Sequence, residues 1–401
     1  MNIKTILNIA KQEFTRIFTD QGSLLIMVAG VFLYSIFYMV PFCNHIVRDI
    51  PIAVVDMDNT CLSREMIRDL NSSEMIKITS RPATVEDAEE QYYQNKVRAY
   101  VVIPKDFERD IFRGGNSYLA AYEDSSFLIV YKQVATGLFS TSMTMGAKLE
   151  IGSFMKKGLS IQQAMNIKLP VEFVEEPLFN PIGSYQNYIY PMVLMLVLQQ
   201  TLLIGAGILC ATIKETIRGY KKLSKDGLVI EDKIDRVNDF SDNPMEIVLG
   251  KSCAYVSLYF IYAMLFMFVF PTIVVYDFHF NFAIVITMLL FLFTVSFLAQ
   301  ALVYFYTERE NSLLLLIITS VPFIFQPGLI WPKECIPFWL LILAKFVPST
   351  PGIGAVVRMN QMGASFLQVQ DDFWTLVFLC GLYFFFAYKE TKRQVDSTKK
   401  N

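Results

Sequence analysis

Residues 188–213 read YIYPMVLMLVLQQTLLIGAGILCATI, without one Asp, Glu, Lys or Arg. A helix crosses the roughly 30 Å hydrocarbon core of a bilayer with about 20 apolar residues, so this stretch is long enough to span. Five further charge-free stretches follow the same pattern, at 24–43, 252–276, 282–306, 312–331 and 373–388. The last is short, but Trp374 and Lys389 extend its reach to the two interfaces. A soluble core rarely needs six uncharged runs of this length. The expected fold class is a membrane all-α bundle of six transmembrane helices, with an amphipathic N-terminal interfacial helix and an inserted α/β extracytoplasmic domain.

Composition agrees. The 401 residues are 54% hydrophobic and only 18% charged, against about 25% charged in soluble domains. The deficit is local, because all charges lie outside the six runs. Lys and Arg (35) nearly cancel Asp and Glu (37), so no global field points to nucleic acid. The 34 Phe and 20 Tyr exclude disorder. Cys43, Cys61 and Cys335 have no metal or disulfide spacing, and His45 and His279 are the only histidines, without ligand-like neighbours. No metal or cofactor is expected.

Basic residues set the orientation. Residues 214–251 hold eight Lys and Arg, the tail 389–401 five and the first 23 residues three, while 277–281 hold none. Positive residues stay inside, which places both termini and the 214–251 segment in the cytoplasm and 44–187 outside. No small-residue cleavage pattern follows 24–43, so it reads as a retained anchor. In residues 1–23, Ile3, Ile6, Leu7, Ala10, Phe14, Ile17 and Phe18 recur at spacings of three and four. They mark a helix lying in the cytoplasmic interface or packed on the protein itself.

Segment 44–187 alternates strands and helices: strands at 50–55, 76–79, 97–103 and 118–122, helices at 63–70 and 85–95, and a long helix from 127 to about 165. That order implies a mostly parallel sheet. In 332–372, Pro332, Pro337, Pro348 and Pro351 bracket an apolar stretch too short to span, which reads as re-entrant helices in the outer leaflet.

Two motifs suggest enzyme chemistry. Asp56-Met-Asp-Asn-Thr60 follows a strand and matches the nucleophile loop of haloacid-dehalogenase-type phosphatases, with Asp56 as nucleophile and Asp58 as acid/base. No second acidic pair follows, and the simpler reading is a turn capping the next helix. Gly250-Lys-Ser252 resembles the end of a P-loop, but that motif requires Gly where Met245 stands. Gln199, Gln200 and Gln300 lie inside spans. Their amides need partners in hydrocarbon, either on other helices or along a transport path.

The order of these features resembles the permease subunits of type-two ATP-binding-cassette exporters, in the bacterial branch with a large outer domain between spans one and two. Asn180-Pro181 with Tyr188 and Pro191 is similar to the family's approach to span two. Ile213-Lys-Glu-Thr-Ile-Arg-Gly219 is similar to its cytoplasmic E-x-x-R-G turn, and Pro244 through Lys251 to its approach to span three. Gln326-Pro-Gly-Leu-Ile-Trp-Pro332, Ile336-Pro337 and Phe346-Val-Pro348 follow its outer hairpin, which includes Pro327, Gly328, Pro332, Pro337 and Pro348. The stretch 220–243 is longer and more acidic than the family's usual link.

The resemblance implies that Lys214, Glu215, Arg218 and Gly219 couple to a separate ABC ATPase subunit that holds ATP and magnesium. It implies pairing with a second permease as a homodimer or heterodimer, and an amphipathic, drug-like or lipid-like substrate exported through a bacterial inner membrane. A periplasmic adaptor and an outer-membrane channel are further expected partners. The chain itself is expected not to be an enzyme. The competing expectations are a membrane-anchored receptor or assembly protein, and the phosphatase.

Overall fold

The computed structural model describes residues 2–40, 47–168, 178–179, 184–225, 240–271, 281–305, 313–314, 317–318, 331 and 333–399. These residues are mostly helical with one small sheet. They fall into two compact units, Ile46–Glu176 and the combination of Met1–His45 with Pro177–Asn401.

The helical unit begins with α1 (Ile3–Thr19), capped by the Asn2 side chain, which accepts the Lys4 amide. Asp20 breaks the helix and caps the next, accepting the Ser23 amide at 2.9 Å. There the chain turns through 85°. It continues as α2 (Gln21–Leu24), a π-helical stretch Leu25–Gly30, and α3 (Val31–Met39). Gly205 on the facing helix permits this path, since a Cβ there would lie 2.0 Å from Met27 Cγ.

Next come α9 (Tyr185–Lys225), α10 (Pro244–Met264, extended by the π-helical Leu265–Val269) and α11 (Phe282–Leu302), numbered after the helices of the other unit. Pro191 lies inside α9 and removes the donor that would reach the Asn187 carbonyl. The Gln361 amide donates to that carbonyl instead. Asn243 and Asn281 cap α10 and α11 through the Met245 and Ala283 amides. Two short helices, α12 (Phe338–Lys345) and α13 (Ser349–Gln361), meet at 86° before α14 (Gln370–Lys399). Among the described residues, four helices are long and apolar enough to cross a membrane, and up to six spans result if each bent pair counts as one. Tyr190, Leu194, Leu198, Tyr255, Phe266, Phe291 and Val356 fill the shared core. Most of the 312–331 run lies outside the described residues.

Three features go beyond the sequence reading. The helix carrying the 252–276 run already starts at Pro244, so Glu246 and Lys251 are buried on its first turns. Glu246 is tolerated there because it accepts the Asn2 amide at 2.8 Å and the Ser241 hydroxyl at 2.7 Å, beside the positive end of a helix. At the other end of the chain, α14 runs on to Lys399 through the expected tail. Glu, Lys and Arg are good helix formers once a helix is started. Lastly, α1 buries Ile9, Glu13 and Ile17 against α10 while Ile3, Leu7, Phe14 and Phe18 remain exposed. It therefore has a packed face as well as an apolar face turned away from the protein.

The Ile46–Glu176 unit holds β1 (Ile50–Asp56), α4 (Cys61–Asn71), β2 (Ile76–Ser80), α5 (Val85–Tyr93), β3 (Ala99–Ile103), α6 (Phe107–Phe112), β4 (Ala120–Glu123), α7 (Leu128–Lys156) and α8 (Ile161–Lys168). The sheet order is β2-β1-β3-β4, with the first three strands parallel and β4 antiparallel to β3. Residues of β1 and β3 are buried on both faces, which explains their unbroken apolar sequence. Ile52, Val54 and Val101 pack with α4 and α7 on one face, and Val55, Tyr100 and Val102 with α5 on the other. The expected helix from 127 to about 165 is divided after Lys156, where Gly158 takes a φ of +89° open to glycine.

Candidate functional site

The amides inside the bundle occupy different situations. Gln199, fully buried on α9, reaches the start of α13: its Oε1 accepts the Ser349 amide at 2.8 Å and its Nε2 donates to Ser349 Oγ at 3.2 Å. The first N–H groups of a helix lack internal partners, and Pro348 before them has no capping side chain. Gln199 supplies the missing acceptor. On α11, Gln300 donates to Ser252 Oγ at 2.7 Å and to the Val248 carbonyl at 3.3 Å, and Ser296 donates to Ser252 at 3.0 Å. This cluster ties α11 to α10. Both amide atoms of Gln200 are buried without a hydrogen-bond partner among the described residues, as is the Thr350 hydroxyl.

Of the residues expected to couple to an ATPase, Lys214 sits where α9 continues past its apolar segment. Its Nζ donates to the Val303 carbonyl at 2.5 Å, a cation on the C-terminal end of α11. Glu215 follows, half-buried, and Arg218 and Gly219 lie farther along α9 with side chains outside the described residues. Pro327, Gly328 and Pro332 also fall outside them. Pro337 and Pro348 stand immediately before α12 and α13, where proline's fixed φ suits the start of a helix.

A polar contact absent from the sequence reading joins α1 to α10. Glu13, with no exposed surface, accepts from the Tyr255 hydroxyl at 2.5 Å and from Arg16 at 3.2 Å. The helices touch closely beside it, since a Cβ on Gly250 would lie 2.6 Å from Ile9 Cγ2. The available signal was the spacing of four that puts Ile9, Glu13 and Ile17 on one helical stripe.

The Asp56–Thr60 turn commits its carboxylates to the protein. Asp56 accepts the Asp58 and Asn59 amides at 3.1 and 2.9 Å and the Ser63 hydroxyl at 2.7 Å. Asp58 accepts the Thr60 hydroxyl at 2.6 Å and the Glu108 amide at 3.0 Å. Burial raises the Asp58 pKa, but the Thr60 hydroxyl and the amides opening α6 outweigh it and hold the carboxyl below its usual range. Thr60 and Ser63 form a reciprocal cap on α4. No group of three or more metal-type side chains occurs among the described residues. This geometry is that of a helix-capping turn.

Comparison with known proteins agrees with the bundle. Residues 22–389 match the family model of the ABC-2 family transporter protein. A search of curated proteins returns no match. With that match across nearly the whole length and its multi-pass helices, the chain belongs to the ABC-2 family of transporter proteins and is an ABC-2 type permease.

Proposed function

We propose that this permease is the membrane subunit of a bacterial inner-membrane exporter, with six spans, both termini in the cytoplasm and the Ile46–Glu176 unit on the outer side. The observation that carries this reading is the continuity of α9, in which a span-length segment, Ile189–Thr216, passes without a break into a charged helix ending at Lys225. A rigid helix of this kind transmits displacement from a cytoplasmic partner into the membrane. Glu215, Arg218 and Gly219 form the contact with a separate ATPase subunit that binds ATP and magnesium, and Lys214 fixes the lever to α11. The chain itself binds no cofactor and performs no hydrolysis.

Two permeases, identical or related, flank the transport path. Gln200, whose buried amide has no partner among the described residues, supports a role in contacting an amphipathic, drug-like or lipid-like substrate. On this reading a periplasmic adaptor and an outer-membrane channel would continue the route from the outer unit. Reversing both charges, Glu215→Lys with Arg218→Glu, is expected to abolish ATPase co-purification and substrate efflux while membrane insertion persists. Full efflux in that variant overturns the coupling assignment.

A further inference from the structure

We propose that the Ile46–Glu176 unit carries a binding site for a small organic ammonium ion, with Glu123 as its anionic anchor. A cavity of about 320 Å³ opens beside the end of β4, walled by Tyr92, Phe127 and Tyr131 and edged by Arg98, Glu123 and Asp124. That volume suits a small ligand.

Glu123 stands at an unusual position for a carboxylate. It pairs across the sheet with Ala99, which belongs to the apolar core shared with Val134 of α7. Its Oε2 is shielded from solvent and accepts no hydrogen bond among the described residues, and burial raises its pKa. A buried carboxylate oxygen without a donor is unfavourable, and a ligand that brings a donor relieves it.

The other charges at the rim are already balanced. Asp124 accepts the Ser126 amide at 2.8 Å. The Ser126 amide and hydroxyl hold its carboxyl below the usual range against burial, and the Tyr92 hydroxyl and the Arg98 charge add to that. Arg98, 5.9 Å from the centre of the Phe127 ring, is thus offset by Asp124. One negative charge, on Glu123, is left uncompensated among aromatic faces. Aromatic faces attract cations, so an ammonium group would donate to Oε2 while its apolar substituent lies against Tyr131 and Phe127. An anion would meet the Glu123 charge, and a neutral molecule would leave it uncompensated. The site lies within one unit and stands independently of the direction of transport.

The test is isothermal titration of the full-length protein in detergent with 2-phenylethylammonium, alongside 3-phenylpropionate and 2-phenylethanol. Saturable binding of the ammonium is expected, with the anion and the alcohol each weaker by about tenfold or more, the scale of a lost charge-assisted hydrogen bond. Glu123→Gln keeps the side-chain shape and is expected to weaken the ammonium by the same factor without changing the melting temperature. Tyr131→Leu, at a more exposed ring, is expected to weaken it several-fold and serves if Glu123→Gln does not fold. Binding that is absent, shared equally by the anion, or unaffected by these substitutions overturns the proposal.

Discussion

Gln199 and Gln200 are neighbours in sequence with opposite energetic roles. Removing Gln199 strands the Ser349 amide in an apolar setting, which costs about 1–3 kcal/mol. Gln199→Leu is therefore expected to lower the melting temperature of the detergent-solubilised protein. Gln200→Leu removes a buried amide that has no partner among the described residues. It is expected to leave that temperature unchanged or raise it, while substrate efflux falls. Equal melting temperatures for the two variants would refute the distinction.

Asp58 has a pH signature. Its carboxyl is held below the usual range in the folded unit, so its stabilising contribution is complete above the unfolded value of about 4 and is lost as pH falls through the depressed folded value. Asp58→Asn is expected to destabilise the unit at pH 7 and to flatten the loss of stability below about pH 4, as read from melting curves across that range. These partners were only partly legible beforehand. That amides inside spans need partners follows from their chemistry, whereas which helix end Gln199 caps depends on a fold-back 150 residues away.

At the scale of elements, the strands were the most legible parts. Runs such as Ile50–Asp56 and Ala99–Ile103 are apolar on both faces because helices cover both sides of the sheet. Helix ends inside the membrane unit were less legible. Charge-free runs end at each charge, yet Glu246 and Lys251 lie within α10, Glu246 satisfied by the Asn2 amide and the Ser241 hydroxyl. The stripe of Ile9, Glu13 and Ile17 was masked by the broader apolar face beside it on α1.

That stripe fixes how α1 is held. A double-mutant cycle with Glu13→Gln and Tyr255→Phe is expected to return a coupling energy of about 0.5–3 kcal/mol, the range for contacting polar groups. Additive effects would mean that packing at Gly250, rather than this hydrogen bond, secures α1 to α10.

At the scale of the whole molecule, the segregation of charge was the most legible property and the arrangement of the spans the least. Six uncharged runs announce a membrane protein, but among the described residues the number of crossings depends on whether each bent pair, at 85° and 86°, acts as one span. Local sequence sets the breaks through Asp20 and Pro348; the packing around them sets the angle. On the proposed division of labour, the purified chain is expected to hydrolyse no ATP in a phosphate-release assay, and ATP hydrolysis is expected only on reconstitution with an ATPase subunit. Hydrolysis by the chain alone, unaffected by removal of contaminating ATPases, would refute that division of labour.

The interruption of the helical unit by residues 46–176 also shapes how the protein is made. Glu13 and its partner Tyr255 are 242 residues apart, so at a synthesis rate of about 5–20 residues per second the carboxylate waits on the order of tens of seconds for its hydroxyl. During that interval Glu13 has only Arg16 of its own helix and water for partners, so α1 is secured in place only after α10 has been made.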